Sequence, residues 1–274
     1  MSESIIKVTN LKKTYRAPGG RATIGGVDVA MDPINLKQEI AVVPQATNLD
    51  RGLTARENLI YHAKYFGFPK AEREARADEL LELMALSERA SDYPQSFSGG
   101  MARRLQIARA MMHNPRVLFL DEATTGLDPQ SRLMIWHKVR GLNEGGQTIF
   151  LTTHYMEEAD QLCDRVAIID HGRILAIGTP TQLKEAIPGG NVIEVKTREH
   201  FPDLPGWLKE DLPELAKVES ENNTLRLFLS RPEEALVGIV EAVRMRDVTL
   251  ESIQLHPVTL EDVFVHMTGK GLRE

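Results

Sequence analysis

The stretch RVLFLDEATTGLD, residues 116–128, decides what kind of fold this chain adopts. It opens with a continuous apolar run, Val117 to Leu120, closed by two carboxylates, Asp121 and Glu122. So short a run without alternation is the pattern of a strand buried on both faces of a parallel sheet. The C-terminal tips of such strands are where open α/β sheets collect their ligands. An Asp at that tip suits a Mg²⁺ held through water, and an adjacent Glu suits polarising an attacking water. The same pair also fits an acidic strand end leading into a loop.

Two further runs, QTIFLTTH (147–154) and RVAIID (165–170), repeat the strand pattern. Helical stretches, PQSRLMIWHKVRGLNE (129–144) and YMEEADQLC (155–163), lie between them. Strand, helix, strand, helix, strand predicts a covered parallel sheet. Upstream, EIAVVPQ (39–45) is apolar at Ile40, Val42 and Val43 and stops at Pro44. SIIKVTNLKKTY (4–15) alternates as a half-exposed strand, and RATIGGVDV (21–29) reads as a second short strand with a glycine turn. From Thr54 to about Leu86 the period is helical, opened by a capping box at Thr54 and Glu57 and restarted at Pro69. A third helix, MARRLQIARAMMHN (101–114), ends at Pro115.

Pro188, Gly189 and Gly190 mark a boundary. Beyond them NVIEVKT, TLRLFLS and VTLESIQLHPV read as strands, and PEEALVGIVEAVRM and TLEDVFVHM as helices. The expected organisation is a main α/β domain over 1–190, with a helical subdomain at about 54–110, and a small α+β appendage over 191–274.

Composition narrows the function classes. A formal net charge of −6 argues against general nucleic-acid binding. Cys163 is the single cysteine, so neither a disulfide framework nor a thiolate zinc site is available. No apolar run approaches the ~20 residues that span a bilayer, and MSESIIKV lacks the layout of a signal peptide. A membrane role is therefore expected only through a partner.

Four more features carry chemistry. In SFSGGMARRLQIARA (96–110), Ser98, Gly99 and Gly100 open a helix, where backbone N–H groups and the helix dipole favour an anion; a serine cap before an amphipathic helix fits equally. His154, at the tip of its strand, is placed to meet a γ-phosphate or to serve as a structural polar residue. Gln45 offers an amide to Mg²⁺ or water, or is a loop glutamine. Asp128 before Pro129 also fits a plain helix cap.

The order Gln45, helical insert, SGG helix, Asp121–Glu122, GLD (126–128), His154 resembles the ATP-binding subunit of ABC transporters, from about Ile5 to the end of the chain. SGGMARRL, TTGLDPQSR and the closing LEDVFVHMTGKGLR are similar to daunorubicin-resistance-type exporters. The resemblance implies a P-loop NTPase-like ABC ATPase fold, an α/β architecture. It implies ATP and Mg²⁺ as cofactors, with Tyr15 stacking on adenine and Asp121 as the Mg²⁺ residue. Gln45 would sense Mg²⁺, Glu122 would be the general base, and His154 the switch histidine. Ser98, Gly99 and Gly100 would contact the nucleotide of the other subunit, with Asp128 at the dimer interface. The implied partners are an integral membrane permease, on which Thr54–Leu86 would dock, and a second ATP-binding subunit in a homodimer or heterodimer. The implied location is cytoplasmic, on the inner face of the cell membrane. Ala123 and Ala102 stand where this branch often has Pro and Arg.

One departure is large. The family's Gly-x-x-x-x-Gly-Lys-Ser/Thr loop, which cradles phosphates, does not occur; Gly269-Lys270-Gly271 in the tail has neither the preceding glycine nor the strand. Only Arg16, Ala17, Pro18 and Gly19 lie between Tyr15 and the segment after the expected loop, whereas a βαβ unit takes about 30 residues. The expectation is an internal loss of the P-loop strand and helix, with a seam near Arg16–Ala17 and impaired nucleotide binding. The other reading is a non-catalytic partner or regulatory subunit that supplies only the SGG helix.

Overall fold

The computed structural model describes residues 6–13, 18–187, 189–199, 201–212, 215–229, 232–246 and 248–268. Tyr15 and the seam at Arg16–Ala17 lie outside the described residues. The chain packs as two compact units, 1–155 and 156–274. No helix among the described residues is long and apolar enough to cross a membrane.

The first unit begins with an antiparallel sheet of β1 (Ile6–Lys13), β2 (Pro18–Ile24) and β3 (Val27–Asp28). Helix α1 (Pro33–Glu39), capped by Asp32 and opened by Pro33, leads into β4 (Ile40–Val43). Next come α2 (Ala55–Tyr65), α3 (Lys70–Leu83) and α4 (Gly99–Ala110). Strand β5 (Val117–Asp121), helix α5 (Pro129–Glu144) and strand β6 (Thr148–Thr152) complete it. The capping box at Thr54 forms as the sequence predicts, with Glu57 N–H donating to Thr54 Oγ1 and Thr54 N–H to Glu57 Oε2. Asp128 caps α5.

Strands β4, β5 and β6 pair in parallel in that order, with Leu120 beside Leu151 and Asp121 beside Thr152. Central β5 is the buried one: Val117, Leu118 and Leu120 are at most 2% exposed. Edge strand β6 is not, and Phe150 is 47% exposed. The helical core is made by Leu59 and Ala63 of α2, Ala77, Leu80 and Leu81 of α3, and Leu105 and Ile107 of α4, all essentially inaccessible.

The second unit holds α6 (Met156–Leu162), the hairpin β7 (Val166–Asp170) and β8 (Arg173–Gly178), and α7 (Pro180–Glu185). It continues through β9 (Asn191–Thr197), α8 (Leu204–Asp211), β10 (Leu215–Glu221), β11 (Thr224–Leu229), α9 (Pro232–Arg244), β12 (Leu250–Pro257) and α10 (Leu260–Thr268). Its four-stranded antiparallel sheet runs β10-β11-β9-β12 and is covered on both faces. Alternation divides the strands between two cores: Ile193, Val195, Leu225 and Leu227 pack with Leu208 of α8 and Ile239 of α9. Val192 and Phe228 pack with Leu183 of α7 and Val263 of α10. Gly189 has φ +106°, and an added Cβ would lie 2.6 Å from the Leu229 nitrogen, so a side chain is excluded there.

Two readings from sequence need correction. RVAIID was expected as a parallel strand buried on both faces; β7 instead pairs antiparallel with β8, and Ile169 is 59% exposed. The cause is local: His171 and Gly172 both take positive φ (46° and 73°), the backbone of a tight two-residue hairpin. Helix α8 was missed although Leu204, Trp207 and Leu208 recur at helical spacing in so short a stretch, and strand β10 was missed because LAKVESE carries no clear period.

The end of α2 is joined to the sheet by aromatic rings. Phe66 and His113 stack face to face, with centroids 4.0 Å apart and planes 3° apart. His113 Nε2 meets the carbonyl of Ile40 at 2.9 Å, and since a carbonyl only accepts, that nitrogen carries the proton. His62 lies against both rings, with its buried Nε2 unpartnered among the described residues. Burial, with the charge of Arg109 and the neighbouring His113, lowers the pKa of His62 from 6.5 to about 4. Its folded pKa is thus below its unfolded value, so the unfolded chain binds more protons between these two limits. Stability should be full above pH 6.5 and decline toward pH 4, and His62→Phe should remove part of that decline. Urea midpoints measured across this range check it; parallel pH profiles for the two proteins would contradict it.

Candidate functional site

The C-terminal edge of the parallel sheet gathers four of the residues singled out from sequence. Asp121 ends β5 and accepts a hydrogen bond from Thr152 Oγ1 at 2.6 Å. Glu122 follows with φ +45°, a left-handed backbone that an L-residue adopts only at a cost. Its N–H is held by Thr152, 3.0 Å from the carbonyl oxygen and 3.3 Å from Oγ1. Its carboxylate Oε2 accepts from Gln45 Nε2 at 2.8 Å and from Thr125 Oγ1 at 3.3 Å. His154 Nδ1 stands 3.7 Å from the same oxygen, and its ring lies against Tyr155. The carboxylate is partly open to solvent, with 34% of the Glu122 side chain exposed, so a water can reach it.

Gln45 reaches this point because its loop is anchored. Arg103 of α4 is 7% exposed and donates to the carbonyls of Pro44 and Gln45 at 2.6 and 2.7 Å. Burial lowers the pKa of Arg103, and the charge of Asp121 opposes that effect.

Ser98, Gly99 and Gly100 lie at the start of α4, where Ser98 Oγ accepts from Met101 N–H at 3.3 Å. Both glycines face the start of α5: an added Cβ would lie 3.1 Å from Leu127 Cδ2 at Gly99 and 2.5 Å from Ser131 Oγ at Gly100. Close helix packing therefore accounts for glycine at 100, whatever approaches the helix end. The carboxylate of Asp128 is committed to its cap, 2.9 Å from Ser131 N–H, and bonding to Ser131 lowers its pKa. These four residues stand apart from the Glu122 hydrogen-bond network.

Sequence reasoning missed Thr152, Thr125 and Arg103. Thr152 was in principle readable, since parallel register sets it beside Asp121. Arg103 gave no signal, being one of two adjacent arginines in an amphipathic helix.

The ABC transporter family model matches residues 8–125, and the model for the C-terminal domain of DrrA1-3-like ATP-binding proteins matches 178–268. The linearmycin resistance ATP-binding protein LnrL of Bacillus subtilis (strain 168) is 38% identical over 257 residues, covering 93% of this chain and 82% of that protein. The chain belongs to the ATP-binding proteins of ABC transporters. The daunorubicin resistance ATP-binding protein DrrA3 of Streptomyces coeruleorubidus is 39% identical over 96% of this chain and 83% of its own length. A solved structure titled as an ATP binding subunit of an ABC transporter superposes with a TM-score of 0.59 at 25% identity, covering 67% of this chain and 93% of that one. The α/β ABC ATPase fold expected from sequence is thus the family's fold.

Gly100→Ala should destabilise the first unit by about 1–3 kcal/mol through overpacking, and a second change, Ser131→Gly, should recover most of the loss. Thermal melts of the three variants check this; an undiminished melting temperature for Gly100→Ala would show that the contact yields freely.

Proposed function

We propose that this chain is the ATP-binding subunit of an exporter that moves drugs or other small lipophilic molecules, working beneath a membrane-embedded permease on its cytoplasmic side. The observation that carries the reading is the convergence of Gln45, Asp121, Glu122 and His154 at one sheet edge, with Glu122 Oε2 bonded to Gln45. The names of its relatives support the export role: linearmycin resistance, daunorubicin resistance, and Nod factor export in Burkholderia thailandensis.

In this reading Glu122 is the general base. Gln45 and Thr125 hold its carboxylate, Thr152 fixes its backbone, and it takes the proton of a water attacking the terminal phosphate. His154 lies beside it to contact the phosphate oxygens. The residues fit Mg²⁺: a hard cation takes one or two carboxylates plus phosphate and water, and Asp121 with the Gln45 side-chain oxygen offers that donor set. Bound there, Mg²⁺ would neutralise charge on the phosphates. In a chain given a phosphate loop at the seam near Arg16–Ala17, Glu122→Gln should lower MgATP hydrolysis by membranes carrying the assembled transporter by about 10²–10⁴-fold; an unchanged rate would remove Glu122 from that role.

We also propose that the phosphate loop has been lost from inside the chain, near Arg16–Ala17. Three facts support this: no Gly-x-x-x-x-Gly-Lys-Ser/Thr occurs, LnrL and DrrA3 are each longer than this chain, and β6 pairs on one side only among the described residues. By the family layout the lost strand lies beside β6. Isolated, the chain should then bind MgATP weakly, and a pair containing one such subunit keeps at most one complete site. The encoding DNA should hold a further segment of roughly 30 residues at that point. Uninterrupted DNA together with tight MgATP binding by the purified chain would overturn the loss. The absent loop favours one second reading, a non-catalytic partner that lends its SGG helix to a complete subunit. The division into 1–190 and 191–274 is proposed on the boundary at Pro188–Gly190, and Tyr15 is proposed as the adenine contact.

A further inference from the structure

The chain between β4 and α2, residues 44–54, forms no helix or strand, yet side chains answer its carbonyls. Arg103, Gln106 and Arg109 project from one face of α4 at intervals of three residues. Arg103 bonds the carbonyls of Pro44 and Gln45, Gln106 Nε2 bonds the Ala46 carbonyl and Asn48 Oδ1 at 3.2 Å each, and Arg109 bonds the Asn48 carbonyl at 2.6 Å. Arg103 and Gln106 are buried. Past this row, Asn58 of α2 takes over, donating to the carbonyls of Asp50, Leu53 and Thr54 and accepting from Asp50 N–H.

We propose that Arg103 is a positioning residue: with Gln106 and Arg109 it makes α4 and the Gln45 loop one rigid piece, so that any displacement of the Ser98–Gly100 helix end is delivered to the contact between Gln45 and Glu122. Arg103 is suited to this in a way an apolar side chain is not. Its planar fork grips two successive carbonyls, one of them belonging to Gln45 itself, and fixes the backbone from which the Gln45 amide extends to Glu122. Releasing a buried guanidinium from the carbonyls that hold it leaves its donors unsatisfied, so the grip resists slipping when α4 moves. The significance for hydrolysis rests on the reading of Glu122 as general base; the mechanical link does not.

The test needs no nucleotide. In ¹⁵N–¹H spectra of the full chain, the Gln45 side-chain amide pair is assigned by its disappearance in Gln45→Leu, and its unbonded position is taken from Glu122→Ala. In Arg103→Met the pair should move to that unbonded position although the protein stays folded, and Arg103→Lys should give an intermediate position. Arg109→Met, which removes only the bond at Asn48, should give a smaller shift in the same direction; it decides the matter if Arg103→Met fails to fold. An unmoved Gln45 pair in folded Arg103→Met, or in Arg109→Met when that is the deciding variant, would overturn the proposal, reducing Arg103 to a packing residue whose loss lowers only the melting temperature. An unchanged hydrolysis rate for Glu122→Gln in the transporter with its phosphate loop restored would instead count against the general-base reading and leave these shifts untouched.

Discussion

The double pairing of β5 is the constraint on which the first unit depends. Only a strand bonded on both edges can be apolar from Val117 to Leu120 and still satisfy its backbone in a buried place. That pairing fixes the register of Asp121 against Thr152, and the register brings a hydroxyl to the aspartate and a backbone grip to Glu122. On the other side it aligns β4 so that the chain leaves the sheet at Pro44 and turns under α4. The chemistry at the sheet edge is thus largely a consequence of strand alignment, with side chains on neighbouring helices fixing what the strands leave loose.

What the sequence made legible follows from this. A continuous apolar run closed by two carboxylates reads as a buried strand with an acidic tip, so Asp121 and Glu122 stood out from the run itself. Gln45 and His154, each of which alone fits a plain loop or strand-end residue, stood out only through the order of motifs that resembles the ABC family. Helix starts were legible where the cap is chemical and local, at Thr54 and Asp128. Partnerships set by tertiary geometry were hidden: Arg103 looks like any basic residue of an amphipathic helix until the loop carbonyls beneath it are seen. Strand β7 misled for a related reason. Its apolar run carries the composition of a parallel strand, but the turn at His171–Gly172 supplies a nearer, antiparallel partner.

Ser98, Gly99 and Gly100 illustrate two causes for one pattern. Small residues at a helix start permit an anion to approach, and here they also permit α5 to approach, since a methyl group at Gly100 would collide with Ser131. The two demands coincide in a single sequence, so the motif alone does not separate them. Asp128 is similar: a carboxylate already engaged as a helix cap presents a less available charge than its place in the sequence suggests.

The backbone at Glu122 has an evolutionary consequence. Holding an L-residue at φ +45° costs about 1 kcal/mol or more, and glycine would relax it while deleting the carboxylate. In a lineage with no use for that carboxylate, drift toward glycine or asparagine would be rewarded by a sturdier fold. Glu122 is one of five non-glycine residues at positive φ among the described residues, so the chain carries such strain elsewhere, and at this position it comes with a carboxylate at the sheet edge.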